Sequence, residues 1–177
     1  MMYLGIDISL KSIGWAIISL DGDDETIVKT GLIKNPDDQA TGSHLTRISD
    51  HIGYLISNYN IDKVIIEDLF IKFVQVGKSL FQIHGVVKDI VYRKLKLEAI
   101  AYHQGTWRKA LGIKRLNKAE RDALLPEARN KTDHKYLCDI KHRVIAYVND
   151  RLKTEYTYEE NDIADAVGLI LAHKDMK

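Results

Sequence analysis

Four acidic residues stand at the ends of the most regular stretches of this 177-residue sequence. Asp7 ends an apolar run near the N-terminus, and Glu67 ends a second apolar run. Asp162 and Asp165 are three residues apart in a C-terminal segment with helical spacing, so both carboxylates project from one helical face. Burial of a carboxylate costs free energy unless positive charge stabilises it, so these four positions are candidates for a functional site.

If the two strands are neighbours, the four side chains form one carboxylate cluster, which repels itself unless protons or cations neutralise it. Mg²⁺ prefers carboxylate and water oxygens. Two such ions roughly 4 Å apart can activate a water and stabilise the leaving oxygen of a phosphodiester. The set contains no histidine or cysteine, which favours Mg²⁺, with Mn²⁺ as a substitute, over zinc. The cluster therefore predicts hydrolysis of phosphodiester bonds with two ions in each active site.

Each acid taken alone could also have a purely structural role. Asp7 and Glu67 could be solvated acids at strand ends, and Asp162 could be held by the positive end of a helix dipole. The dipole accounts less well for Asp165, because small apolar residues flank that position. The joint pattern is therefore more specific than its parts.

Length and composition limit the class of protein. The chain is 45% hydrophobic and 29% charged, which predicts one globular domain over residues 1–177. No apolar run approaches the roughly 20 residues of a membrane span, and the N-terminal stretch does not resemble a signal peptide. The single cysteine, Cys138, excludes an internal disulfide and a cysteine-rich zinc site. We therefore expect a cytoplasmic protein without membrane association.

Apolar periodicity predicts alternating strands and helices. The predicted strands are residues 3–8, 12–20, 26–34, 63–67 and 97–102. The predicted helices are residues 41–60, 76–95, 107–111 and 133–152, and a last helix that carries Asp162 and Asp165. The first three strands form an antiparallel meander, and the later elements alternate. This order indicates an α/β fold with one mixed five-stranded sheet flanked by helices.

The short helix over residues 107–111 is expected to begin after Thr106 as its cap and to end at Gly112. Trp107 is expected to belong to the core. The following segment, at about residues 113–135, is polar and lacks clean periodicity, which predicts a long loop or a helical insertion.

A local excess of positive charge surrounds this segment. From Arg108 to Arg143 there are eleven Lys or Arg against five Asp or Glu, although the net charge of the whole chain is only +1. A basic segment in a nearly neutral chain suggests contact with a polyanion, and a solvated helix face accounts for the charge equally well.

The helix predicted over residues 76–95 carries more apolar residues than one buried face requires. Phe81, Val86 and Tyr92 add to the residues of its main apolar stripe. A two-fold interface between two copies of the chain would cover this surplus.

The sequence around the four acids resembles the RuvC family of Holliday junction resolvases, within the ribonuclease H-like superfamily. The matching stretches are Leu4-Gly-Ile-Asp7 with Gly14-Trp-Ala-Ile17, Ile65-Ile-Glu67-Asp-Leu-Phe70, and Asp162-Ile-Ala-Asp165-Ala-Val-Gly-Leu. The resemblance implies a ribonuclease H-like fold, with the four acids as metal-binding catalytic residues. It also implies a Mg²⁺-dependent crossover junction endodeoxyribonuclease. Such a homodimer cuts two opposed strands of a four-way DNA junction and leaves 5′-phosphate and 3′-hydroxyl ends.

Family members carry an aromatic wedge just after the strand that ends in the glutamate. Phe70 falls at that place, and Phe73 is a neighbouring candidate for stacking on bases. The further candidates for DNA contact are the basic residues Arg108, Lys109, Lys114, Arg115, Lys118, Lys131 and Lys135.

Two features depart from the bacterial pattern. Residues 8–10 follow Asp7 where bacterial members usually have a Pro-Gly turn, and the segment at residues 113–135 is longer than its bacterial counterpart. Both departures indicate a phage- or mobile-element-encoded branch.

Three alternatives stay open. Another ribonuclease H-like nuclease, acting on forks, flaps or RNA–DNA hybrids, would use the same acids. A non-catalytic DNA-junction binder would have lost one or more of them, and none is lost. An actin- or sugar-kinase-like ATP-binding domain also begins with a Gly-x-Asp strand, but it needs a second glycine-rich phosphate loop and a longer chain.

Overall fold

The computed structural model describes residues 1–34, 41–69, 74–127 and 131–177, without the side chains of residues 74–76, 127, 132 and 133. Its centre is a five-stranded sheet with the strand order β3-β2-β1-β4-β5. The strands are β1 (Met2–Ile8), β2 (Ser12–Asp21), β3 (Asp24–Lys34), β4 (Lys63–Glu67) and β5 (Ile100–Tyr102). The first three pair antiparallel, whereas β4 pairs parallel with both β1 and β5. This confirms the predicted mixed sheet.

Helices cover both faces of the sheet. They are α1 (Thr41–Asn58), α2 (Val74–Leu95), α3 (Gln104–Ala110), α4 (Lys118–Ala123), α5 (Lys131–Cys138), α6 (Ile140–Leu152) and α7 (Asn161–Asp175). Two short 3-10 turns, Leu125–Glu127 and Tyr158–Glu160, complete the described elements. None of the helices that the structure describes is both long and apolar enough to span a membrane.

The alternation of side chains along β1 sorts its residues between two cores. Leu4, Ile6 and Ile8 pack in the core on the side of α1 and α2. Tyr3 packs in the other core, with α3, α6 and α7. By the same period of two, Asp7 belongs to the face that α7 covers.

The cap of α3 differs from the expectation. The predicted cap, Thr106, lies inside the helix, and His103 is the N-cap. The imidazole Nδ1 of His103 accepts a hydrogen bond of 3.2 Å from the backbone N–H of Gly105, in the place where a side-chain oxygen usually accepts it. The expected end at Gly112 is confirmed, because Gly112 follows the C-cap with a positive φ of 71°.

The single helix predicted over residues 133–152 is two helices. Asp139 has an extended conformation between α5 and α6, and its Oδ1 accepts a hydrogen bond of 2.7 Å from the backbone N–H of Lys141. A capping aspartate therefore interrupts an otherwise continuous apolar pattern.

The segment before α5 is partly helical, since α4 begins with a capping box between Asn117 and Glu120. Residues 113–139, between α3 and α6, are called the basic excursion below.

Candidate active site

Helix α7 approaches β1 and β2 closely because two strand residues are glycines. A Cβ added at Gly14 would lie 2.0 Å from the backbone oxygen of Asp162, and one at Gly5 would lie 2.2 Å from that of Ala166. Any larger side chain would push the helix away. Because Gly14 pairs in register with Asp7, this contact brings the first turn of α7 beside the end of β1.

The four predicted acids meet at this edge of the sheet. Asp7 is buried, with 8% of its surface exposed. Burial is the main reason that the pKa of the Asp7 carboxyl is well above its ordinary value. The negative charges of Asp165, Glu67 and Asp162 raise that pKa further, whereas Lys141 lowers it. A cation bound near Asp7 would oppose this shift.

Glu67 is held by two donors from α3. Its Oε2 accepts a hydrogen bond of 2.9 Å from Trp107 Nε1, and its Oε1 accepts one of 3.2 Å from Gln104 Nε2. Burial raises the pKa of Glu67 even though these two bonds and the charge of Arg108 oppose the shift. Trp107 is fully buried, as expected, and its N–H also fixes an acid of the site.

Asp165 is paired with an interior arginine. Nη2 of Arg108 lies 3.1 Å from Asp165 Oδ2, and both side chains are buried. The other oxygen, Asp165 Oδ1, is buried and has no hydrogen-bond partner among the described residues. Burial raises the pKa of Asp165 to about 6, although Arg108 opposes the shift. Among the residues that the structure describes, this oxygen has no donor, so it is open to a ligand such as a cation.

Asp162 is held by a hydroxyl and an ammonium group. Ser12 Oγ donates a hydrogen bond to Asp162 Oδ2, and Lys141 Nζ lies 3.7 Å from Oδ1. Lys141 also donates to the side-chain oxygen of Asn161.

The sequence did not identify Lys141 as part of the site, because nothing in the pattern shows which of the eleven basic residues from Arg108 to Arg143 pairs with an acid. The signal that could have found it is Asp139, a capping residue two positions earlier, which places Lys141 in the first turn of α6. Gln104 and the N–H of Trp107 were missed for a similar reason. Their bonds to Glu67 depend on where α3 begins, and the expected start was too late.

Three of the acids contact separate donor groups of the protein and do not converge on one common centre: Glu67, Asp162 and Asp165. Across the described ranges, no group of three or more His, Cys, Asp or Glu side chains is arranged to hold a metal ion as it stands. The donor set still suits a hard divalent ion, because it consists of carboxylate oxygens and Asp165 Oδ1 is buried without a partner among the described residues.

The predicted DNA contacts fall into distinct places. Phe70 and Phe73 lie outside the described residues, so their predicted role stays a prediction. Arg108 is buried against the acids, whereas Lys109 is exposed on α3. The remaining basic candidates are exposed on the basic excursion: Lys114, Arg115, Lys118, Lys131 and Lys135.

A hollow of about 560 Å³ opens beside the acids. Glu67, Asp68, His84 and Arg115 are among the residues that line it. His84 is buried, and burial lowers the pKa of its imidazole to about 4, so the ring is neutral at physiological pH. The hollow provides a route by which a ligand could reach Glu67 from outside.

Comparison with known proteins gives consistent results. The family model for "Crossover junction endodeoxyribonuclease RuvC" matches residues 3–125. The protein of that name from Synechocystis sp. is 30% identical over 127 residues, which cover 70% of this chain and 75% of the relative. The one from Orientia tsutsugamushi strain Ikeda is 30% identical over 162 residues, covering 91% and 96% of the two chains. This second match extends past the end of the family model.

Solved structures agree on the fold. The chain superposes on Thermus thermophilus RuvC in complex with a Holliday junction substrate with a TM-score of 0.74 and 15% sequence identity. The match covers 99% of this chain and 94% of the other. At this identity the likeness supports the ribonuclease H-like fold alone.

Proposed function

This chain belongs to the RuvC family of crossover junction endodeoxyribonucleases, and we propose that it resolves Holliday junctions with Asp7, Glu67, Asp162 and Asp165 as its catalytic acids. The observation that carries the proposal is the convergence of these four acids at one edge of the sheet. There, burial and mutual repulsion raise the pKa of Asp7. Such an arrangement is unfavourable for folding and is typical of a site that awaits a cation.

The four acids would hold Mg²⁺, with Mn²⁺ as a substitute and two ions in each active site. When bound, the ions supply an acidified water and positive charge for the departing oxygen of the phosphodiester. A metal competes with protons for carboxylate oxygens, so the raised pKa values of Asp7, Glu67 and Asp165 should weaken metal binding as the pH falls.

The residues around the acids orient them. Trp107 and Gln104 fix the two oxygens of Glu67, and Ser12 fixes Asp162. Arg108 and Lys141 neutralise part of the negative charge from two different helices, α3 and α6. Such supporting contacts keep carboxylates in place while their ligands change.

We place the two-fold interface of a homodimer on α2. Phe81 and Tyr92 of this helix are 59% and 50% exposed, which is unusual for large apolar side chains in a packed helix. A dimer gives one active site for each of the two opposed strands of a junction. Contact of Phe70 and Phe73 with the bases at the branch point stays part of the proposal, on the basis of the sequence alone.

A cytoplasmic location and a phage or mobile-element origin complete the proposal, on the basis of the sequence alone. The proposed substrate is four-way branched DNA, in agreement with the names of the relatives, which are crossover junction endodeoxyribonucleases. Linear duplex, forks, flaps and RNA–DNA hybrids of matched sequence are the comparison substrates.

The test is incubation of the purified protein with Mg²⁺ and a synthetic four-way junction whose strands are labelled one at a time. We expect paired, symmetric nicks on two opposed strands, with 5′-phosphate ends. We also expect Asp7→Asn to lose more than about a thousandfold in rate, as removal of a metal-activating group requires, while still binding the junction. Asp150→Asn is the matched control, because Asp150 is an exposed acid on α6 that pairs only with Lys153 among the described residues.

Three results would contradict the proposal. Equal cutting of linear duplex would remove the preference for junctions. Unpaired nicks restricted to forks or hybrids would favour another ribonuclease H-like nuclease. Cutting by Asp7→Asn at the normal rate would remove the acids from the chemistry.

A further inference from the structure

The basic excursion contains a hollow of about 660 Å³ that is separate from the one beside Glu67. Its lining includes four cationic side chains, those of Arg115, Lys118, Arg121 and Lys135. All four are exposed. Helices α4 and α5 and the loop before α4 therefore present positive charge to one concave surface, called the basic hollow below.

These four cations differ from Lys114, which belongs to the same excursion. In the described part of the chain, none of the four forms an ion pair, whereas Lys114 lies 2.5 Å from Glu120. Two acids, Asp122 and Asp139, also line the hollow. The Oδ1 of Asp139 is already engaged by the backbone N–H of Lys141. The hollow thus keeps an excess of positive charge, which attracts a polyanion.

The basic hollow connects to the active site through one side chain. Arg115 lines both the basic hollow and the hollow that contains Glu67. A strand that passes Glu67 can therefore continue past Arg115 onto the basic surface without leaving contact with the protein. Phosphate groups follow one another along a nucleic-acid strand, so a continuous basic surface matches a continuous backbone.

We propose that the basic hollow binds the phosphodiester backbone of a junction arm, on the strand that leads out of the active site. The excursion then provides a second point of contact beyond the cleavage point. The proposal rests on the proposed function, since it takes branched DNA as the ligand. It assigns to α4 and α5 a role in holding one arm, separate from the chemistry of the four acids.

Salt dependence gives the first measurement. Each phosphate neutralised on duplex DNA contributes about 0.9 to the slope of log affinity against log salt. In the Asp7→Asn background, which is expected to bind without cutting, the double variant Arg121→Gln/Lys135→Gln should lower that slope by about 1–2. Lys153→Gln, an exposed lysine paired with Asp150, is the control and should leave the slope unchanged.

The single cysteine of the chain gives the second measurement, because Cys138 lines the basic hollow and is partly exposed. Its rate of alkylation by N-ethylmaleimide reports whether the hollow is filled. We expect saturating junction to slow alkylation at least fivefold in the Asp7→Asn protein. The double variant, compared at equal occupancy of DNA, should lose that protection.

The outcomes separate the two proposals. If the Asp7→Asn protein binds the junction but Cys138 reacts at the rate of the free protein, the basic hollow is not the contact. Protection that persists in the double variant, or an unchanged salt slope, also overturns the assignment, because bulk shielding would then be its cause. If the protein does not bind a junction at all, the proposed function fails as well. Binding to linear duplex, measured in the same way, shows whether the junction is preferred.

Discussion

The edge of the sheet and the basic excursion are both strongly charged, but they keep their charges in different surroundings. At the edge, the acids are largely buried, and three of them have specific protein donors, such as Arg108 for Asp165. On the excursion, the cations are exposed, and several have no acidic partner in the described part of the chain. Interior charges are shielded little by salt, whereas exposed charges are screened within about 10 Å at 0.1 M. We therefore expect the first region to determine the chemistry and the second to adjust the affinity for DNA.

The largest expected effect comes from the close approach that builds the edge. Gly14→Ala places a Cβ 2.0 Å from the backbone oxygen of Asp162, so α7 must move. We expect a loss of about 3 kcal/mol or more in the free energy of unfolding, measured by urea denaturation. The control is Gly42→Ala in α1, where no described atom lies within 4 Å of the added Cβ. Its effect should be under about 1 kcal/mol. Equal effects of the two changes would show that the edge does not depend on this contact.

A smaller effect should follow when one orienting bond is removed from the edge. Trp107→Phe keeps an aromatic ring but removes the N–H that donates to Glu67 Oε2. Loss of such a supporting contact typically costs about 10–100-fold in metal affinity or activity. The measurement is the Mg²⁺ concentration that gives half-maximal cutting.

Trp15→Phe is the matched control for that change. Trp15 is also buried, but its Nε1 has no hydrogen-bond partner among the residues that the structure describes. The same atoms are removed, so any loss of packing is comparable. A shift in Mg²⁺ dependence for both variants would show that the indole N–H of Trp107 has no special role.

The crowding of acids should also be measurable without metal. The raised pKa of Asp7 means that the folded state keeps a proton that the unfolded state has lost. The stability of the metal-free protein should therefore fall as pH rises above the ordinary value of 3.8, and the contribution of Asp165 to this fall continues through about pH 6. In EDTA at pH 7.5, Asp7→Asn should raise the free energy of unfolding, measured by urea denaturation, because it removes a carboxylate whose charge is disfavoured by burial and by the neighbouring acids.

The counterpart of that change is Asp165→Asn, which leaves Arg108 buried without a carboxylate. We expect it to destabilise the protein, because an uncompensated interior charge is costly. Adding Mg²⁺ should stabilise the wild-type protein more than either variant. A less stable Asp7→Asn protein in EDTA would show that repulsion among the acids is already relieved by other means.

The smallest expected effects belong to the excursion. Lys118→Gln should lower the salt slope of junction binding by about 0.9, the value for one phosphate. Lys114→Gln should change it by less than half as much, because Glu120 already neutralises Lys114. Both changes should leave the free energy of unfolding within about 0.5 kcal/mol. A larger slope change for Lys114 would contradict the view that unpaired cations determine affinity.

The parts that the sequence predicts well are those with a regular pattern. Strand β4 is predicted with the bounds that the structure shows, since a short apolar run bounded by polar residues is typical of a buried strand and is too short for a helix. The convergence of the acids follows from two strand ends and one helical spacing. Asp139 was missed as a break because the apolar pattern of α5 and α6 runs through it.

The cations beside the acids could not be predicted, for a physical reason. Arg108 was expected to contact DNA, and the structure places it in the interior beside Asp165. Whether a basic side chain turns inward depends on where its helix begins and what lies across from it. Lys141 shows the same dependence, because its position follows from the cap at Asp139.

The two ends of the basic excursion are joined, and this has an evolutionary consequence. Arg143, in the first turn of α6, donates a hydrogen bond to the backbone oxygen of Lys114, just after α3. The residues that follow α3 and the first turn of α6 are therefore linked at the base of the excursion. Helix α3 carries Arg108, and α6 carries Lys141. A segment whose ends are held in this way can lengthen, shorten or be exchanged between relatives as a cassette, with little disturbance of the scaffold beneath it. Relatives can therefore diverge in how they bind DNA while their catalytic centre stays unchanged.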